Sequence, residues 1–360
     1  MNSFRLSLFL LIVFCCTSTK SIAASFKTVK VADGVYAFIP PGPLHDIVEG
    51  NSVAIIGDDA VLVVDTFGDS YTANQMIAGL KELTPKPVRY IVNTHWHYDH
   101  VMGNYVWKKA FPDAIIIGHA RMRELYDVRI PKIVGEEPKA SYELKSLIRR
   151  QLESGRNEEG TPLTKYEREV RLPQTLADLD TFVSYLDEYK YQPLDVTIND
   201  SLTVYLGKNR TIQIFHPGKA HSSGDLFVHI ASARILITGD VVVSPVPYAF
   251  GAFHTDWLRV LNKIIWMKPA KIIPGHGEVQ SDLKYVRSMI DLLTGLQEIV
   301  TAAYKDTLSL EQAQSTIDLP ALRTRFAGKD DEKNWAFTNY FLKPGIKSLY
   351  NEFKKIPKNN

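Results

Sequence analysis

The sequence predicts an α/β protein. Three observations predict it: short β-patterned runs alternate with helical spacing up to about residue 119, a helical stretch interrupts at about 120–193, and strands return over 202–273 before a helical tail. The 360 residues include 45% hydrophobic and 23% charged side chains, the composition of an ordinary globular chain able to bury a large core.

The elements follow in order. Residues 26–40 alternate apolar and polar side chains around Asp33-Gly34, which reads as a strand hairpin. Runs at 53–57 and 61–64, separated by Asp58-Asp59, read as two further strands. A helix is expected over 70–83, a buried strand over 88–93 and another over 114–117. Leu144, Leu147, Ile148 and Leu152 recur at helical spacing before Gly155, and Leu176, Leu179, Phe182, Val183 and Leu186 repeat the pattern after Pro173. These two helices either pack on the body or cover a site, with 153–164 as a polar connection between them. Strands are expected at 202–206, 211–215, 226–230 and 234–238, a helix at 256–267 and a short strand at 271–273. From 281 onward the chain reads as mostly helical, broken at Pro320 and Pro344. Two strands end in Gly-His, at Gly118-His119 and Gly275-His276, a faint echo of internal duplication.

Arg5, an apolar run over 6–16 and small residues at 21–24 match a secretory signal peptide, so residues 1–24 are expected to be removed on export to a periplasmic or secreted location. The apolar run is about half the roughly 20 residues a spanning helix needs, so no stable membrane insertion is expected after cleavage. Cys15 and Cys16 are the only cysteines and lie in that segment, which leaves nitrogen and oxygen ligands for any metal. Past residue 24 the chain carries 40 basic and 40 acidic side chains, a balance that gives no electrostatic case for nucleic acid.

The segment Thr94-His95-Trp96-His97-Tyr98-Asp99-His100 follows the strand at 88–93. Three imidazoles and a carboxylate within six residues are costly to bury without partners, and a metal satisfies them together. His95 and His97 point one way in an extended turn while Asp99 and His100 belong to the next bend, a spacing that argues for two ions.

The H-x-H-x-D-H run resembles the signature of the metallo-β-lactamase superfamily, and later pieces appear in the expected order: His221 before Ser222-Ser223-Gly224-Asp225, Asp240 after Thr238-Gly239, and His276 in Pro274-Gly275-His276-Gly277. Asp65, closing Val63-Val64-Asp65, resembles the first motif. The resemblance implies a four-layer αββα sandwich at 25–280, with the helical insertion at about 120–193 and the helical segment 281–360 packed on the same domain. It further implies that His95, His97 and His221 hold one metal, Asp99, His100 and His276 a second, and that Asp240 bridges them. Two zinc ions are the implied cofactor, with iron or manganese as alternatives, and Asp99 is the candidate catalytic residue as acceptor of a proton from water. Asp65 is expected to hold the ligand loop by hydrogen bonds.

The leading expectation is a hydrolase that opens a carboxylic ester, lactone, thioester or amide in a small-molecule substrate. Asp240 occupies a place where the family's true β-lactamases carry Cys or Ser, so the resemblance favours glyoxalase II and lactonase-like members over antibiotic hydrolysis. Two other readings remain open at this level: a mononuclear iron enzyme like the persulfide dioxygenases, using His95, His221 and Asp240, and a non-catalytic metal-binding accessory protein of the export compartment. The sequence leaves the oligomeric state undetermined. His45 and His254 are expected near the metal mouth, His229 at the surface or in the core, and Tyr248, Phe250 and Phe253 as a candidate apolar wall.

Overall fold

A computed structural model describes residues 25–41, 49–158 and 160–355. The signal-peptide reading and His45 lie outside the described residues. Two mixed sheets form the centre. The first runs in spatial order β1 (Lys27–Ala32), β2 (Val35–Ile39), β3 (Ser52–Ile56), β4 (Val61–Val64), β5 (Val88–Val92), β6 (Ile115–His119) and β7 (Val196–Ile198). Its first four strands pair antiparallel, and β4 through β7 pair parallel. The second contains β8 (Ser201–Tyr205), β9 (Thr211–Phe215), β10 (Phe227–Ile230), β11 (Ile235–Val243) and β12 (Lys271–His276), with only β11 and β12 parallel.

Side chains alternate across each strand and so sort into three cores. Val53, Ile55, Leu62 and Val64 face Ile212, Ile214, Val228 and Ile237 between the sheets. Ala54, Val61 and Val63 face outward onto α1 (Ser70–Leu83), with α2 (Tyr98–Val101) and α3 (Asn104–Ala110) completing the layer beside it. Asp69 caps α1 by accepting from the Thr72 amide at 2.7 Å. On the far side, Phe227, Leu236 and Ile272 pack against later helices. These are α6 (His254–Met267), α7 (Lys284–Lys305), α8 (Leu310–Thr316), α9 (Pro320–Ala327), α10 (Asp331–Ala336) and α11 (Lys343–Lys355). The layers therefore run helix, sheet, sheet, helix, as the resemblance implies, with a helical C-terminal extension joining the outer core.

The insertion differs from its sequence reading. Instead of a short helix around 144–152, α4 (Ala120–Ser154) runs unbroken for 35 residues through Pro131 and Pro138, and α5 (Leu172–Glu188) returns beside it. Proline removes one amide donor and crowds the preceding turn, which hides such a helix from a periodicity reading. His119 opens α4 by accepting from the Arg121 amide at 3.0 Å, and Gly155 closes it at φ 67°. Phe182 and Leu186 of α5 belong to the same core as α1, so this helix is a structural buttress. Among the described residues no helix is long and apolar enough to cross a membrane.

Candidate metal centre

The parallel strands β4, β5, β11 and β12 aim their C-terminal ends at one place, where ligands collect in sheets of this kind. His95 and His97 leave β5 in an extended turn, and Asp99 and His100 sit on the single turn of α2. His276 ends β12. The sequence reading ends this strand at 238, but β11 continues through Asp240 to Val243. Gly239 at φ 51° and register shifts on either side of it mark the irregularity there, which turns Asp240 into the site.

The seven expected residues fall into two groups, His95, His97, His221 and Asp240 in one and Asp99, His100 and His276 in the other, each with ligand atoms within 4.8 Å of one another. Asp240 faces both. Its Oδ2 lies 3.6 Å from His95 Nε2 and 3.5 Å from His221 Nε2, while its Oδ1 lies 3.2 Å from His100 Nε2 and 3.4 Å from His276 Nε2.

Hydrogen bonds outside the cluster fix which ring nitrogen faces inward. His221 Nδ1 donates to the Tyr248 carbonyl at 3.1 Å, and His100 Nδ1 donates to Asp65 Oδ2 at 2.9 Å, so each turns its Nε2 toward the centre. Thr94 gives its hydroxyl proton to Asp65 Oδ2 at 2.7 Å and accepts from His95 Nδ1 at 3.1 Å. Burial holds His95, His97 and His221 below the ordinary imidazole value, His97 at about 3, so all three are neutral donors. Burial also disfavours charge on His100 and His276, but the facing carboxylates outweigh it and hold both rings above the ordinary value, His276 at about 9. That side of the centre therefore calls for positive charge.

The donor set fits divalent metal. His95 Nε2, Asp99 Oδ2 and Asp240 Oδ1 are buried without a hydrogen-bond partner of proper geometry. Two imidazole nitrogens, His221 Nε2 and His97 Nδ1, approach to 3.0 Å, and His100 Nε2 and His276 Nε2 to 3.4 Å. Orphaned ligand atoms converging in a buried site are costly unless a cation joins them.

The sequence profile of the metallo-beta-lactamase superfamily matches residues 45–276. The chain belongs to that superfamily. Among solved structures, a metallo-beta-lactamase from Pontibacter korlensis matches with 16% identity and a TM-score of 0.50, over 75% of this chain and 99% of that one. The metallo-beta-lactamase DIM-1, in a crystal exposed to ceftazidime, matches with 15% identity and a TM-score of 0.51, over 75% and 97%. The stereoselective inverting sec-alkylsulfatase Pisa1 from Pseudomonas sp. matches with 14% identity and a TM-score of 0.61, over 91% of this chain but only 50% of that one. At these identities the likeness is one of fold. Family and cluster together point to a metal-dependent hydrolase.

Other expectations for the superfamily site are corrected. His254 is a core residue, fully buried, with Nε2 donating to the Leu293 carbonyl at 2.8 Å. Phe253 precedes α6 under the Lys219 ammonium and takes no part in the wall. Tyr248 and Phe250 do line the cavity beside the cluster. His119 stays out of the centre, bonded to the Asn199 carbonyl, and His229 sits partly exposed beside Gln213.

Sequence reasoning missed Asn51, whose side-chain amide donates to the carbonyls of Pro274 at 2.9 Å and Gly277 at 2.8 Å and so clamps the His276 turn. It also missed the Asn93–Asn104–Thr66 network that holds the His100 carbonyl. Gly50 and Gly275 are required by close approach, since a Cβ would collide with the His100 ring and the Asp240 carboxylate respectively.

Proposed function

We propose that the chain is an exported dinuclear metal hydrolase that opens a carboxylic ester, lactone, thioester or amide. The observation that carries this reading is Asp240, one oxygen of which faces each ligand group. His95, His97 and His221 would hold one ion, Asp99, His100 and His276 the other. Zinc suits these nitrogen and oxygen donors, and iron and manganese fit the same set. Two such ions supply an acidified water and an electrophilic grip on the substrate's carbonyl oxygen. Asp99 lines the adjoining cavity as well as the cluster, so its carboxylate is placed to take the proton of the attacking water. Tyr248, through its carbonyl, orients His221, and its buried ring excludes water from that side. The apolar run at 6–16 supports export.

The test strips the purified protein with chelator, reloads it with zinc, iron or manganese, and assays lactones, thioesters, aryl esters, phosphodiesters, alkyl sulfates and β-lactams. Turnover of an acyl substrate that disappears on stripping and returns on reloading is expected. Activity confined to sulfates or phosphodiesters, or oxygen uptake with a single iron, would overturn the reading, and activity on β-lactams alone would narrow it to that one class of amide.

A further inference from the structure

The cavity beside the cluster has walls of aromatic rings and, among the described residues, no lysine or arginine lines it. Trp96 and Tyr98 alternate with the ligands, Tyr248 and Phe250 come from the segment after β11, Tyr340 from the wide-wound helical segment Phe337–Leu342 that leads into α11, and Ile133 from α4. The rings brace one another: Tyr340 meets Tyr248 at 5.1 Å and Phe250 at 5.3 Å between centroids, both edge-on. Tyr98 rests against Phe182 of α5 at 5.3 Å. Behind this wall a cation is already engaged, with Arg171 4.4 Å over the Trp335 ring and Trp335 backing Tyr340 at 5.2 Å.

We infer that the part of the substrate remote from the scissile bond is an uncharged aromatic group of about one ring. The inference rests on the hydrolase reading for the scissile bond and on the cavity alone for the rest. An anionic group would be drawn to the ions at the floor, and held away from them as a tail it would be desolvated against rings with no lysine or arginine among the described lining residues to pair it. A cationic tail would suit aromatic faces, but two divalent ions at the floor repel it. Size sets the other limit: the cavity is about 240 Å³, whereas ~150 Å³ admits benzene and drug-sized sites begin near ~300 Å³. One ring with a carbonyl-bearing arm fills it.

Two matched pairs test this on the full metal-loaded protein. In calorimetry, acetophenone should bind at least ten-fold more tightly than 4-acetylbenzenesulfonate, whose added distal charge is a poor ligand for divalent metal. In hydrolysis, phenyl acetate should exceed 3-sulfophenyl acetate at least ten-fold in kcat/KM. Phe250→Arg places a cation at the rim, where Phe250 is 44% exposed, and should narrow both ratios with metal content retained. Equal or reversed preference in the binding pair would overturn the inference. Preference in binding with no ester, lactone, thioester or amide cleaved would overturn the hydrolase reading and leave the inference standing. Cleavage of both esters at equal rates would do the opposite.

Discussion

Asp65 orients an imidazole in each ligand group, directly to His100 Nδ1 at 2.9 Å and through the Thr94 hydroxyl to His95 Nδ1. Its other oxygen accepts from the Thr94 amide at 2.7 Å. Carboxylates of this kind fix ring tautomer and raise ligand basicity, and their loss typically weakens metal binding ~10–100-fold. Asp65→Ala should therefore lower affinity for both ions in a competitive chelator titration, and Asp65→Asn, which keeps an acceptor, should do so less. Equal affinity in wild type and Asp65→Ala would remove Asp65 from this role.

Asp240→Ala should reduce occupancy of both positions, because the carboxylate faces both groups. His276→Ala should mainly empty the second, because that imidazole serves one group. Elemental analysis of the two variants, dialysed identically, checks this; the same one-metal loss in both would count against a bridging carboxylate.

The ligands were legible because they crowd into one short run and three short motifs, and Asp65 because it closes a strand. Asn51 and Tyr340 were not. Asn51 reaches the His276 turn from a residue 223 positions earlier, and Tyr340 reaches the cavity from a helical tail whose only pattern is that of packing. Such contacts depend on tertiary register, which no local spacing encodes. Likewise, α4 was shortened in the sequence reading because Pro131 and Pro138 interrupt its periodicity, although its neighbours sustain the helix through both. His254 was misplaced because a histidine in a loop-like sequence has no mark that distinguishes a core hydrogen bond from a mouth position.

Removing the Asn51 clamp should destabilise the fold. Asn51→Ala leaves two carbonyls near the His276 turn without their donor, a loss of roughly 1–3 kcal/mol, to be read in urea denaturation of the metal-loaded protein. A midpoint indistinguishable from wild type would show that water replaces the amide.

Acid sensitivity has a component at His254, where burial lowers the imidazole to about 4 from an ordinary 6.5 and the Leu293 hydrogen bond offsets this in part. The folded state binds the proton less readily than the unfolded one, so this stabilising contribution is full above about pH 6.5 and is lost as pH falls toward about 4. Wild type and His254→Phe should thus converge in stability by ~3 kcal/mol across that window, at ~1.4 kcal/mol per pKa unit. Parallel curves would place the titration elsewhere.

The helical insertion reaches the cavity through Ile133 of α4. Ile133→Trp should raise KM on every accepted substrate with both metals bound, while replacing the polar 155–164 tip with a short linker should leave kinetics unchanged. Unchanged KM in Ile133→Trp would mean that α4 only borders the site.

The central claim is a two-ion centre assembled from seven side chains, and metal stoichiometry by elemental analysis of the purified protein tests it most directly. The account predicts two tightly held divalent ions per chain, with hydrolytic activity rising in step with occupancy of the second. One ion per chain at saturation, with full activity, would contradict it.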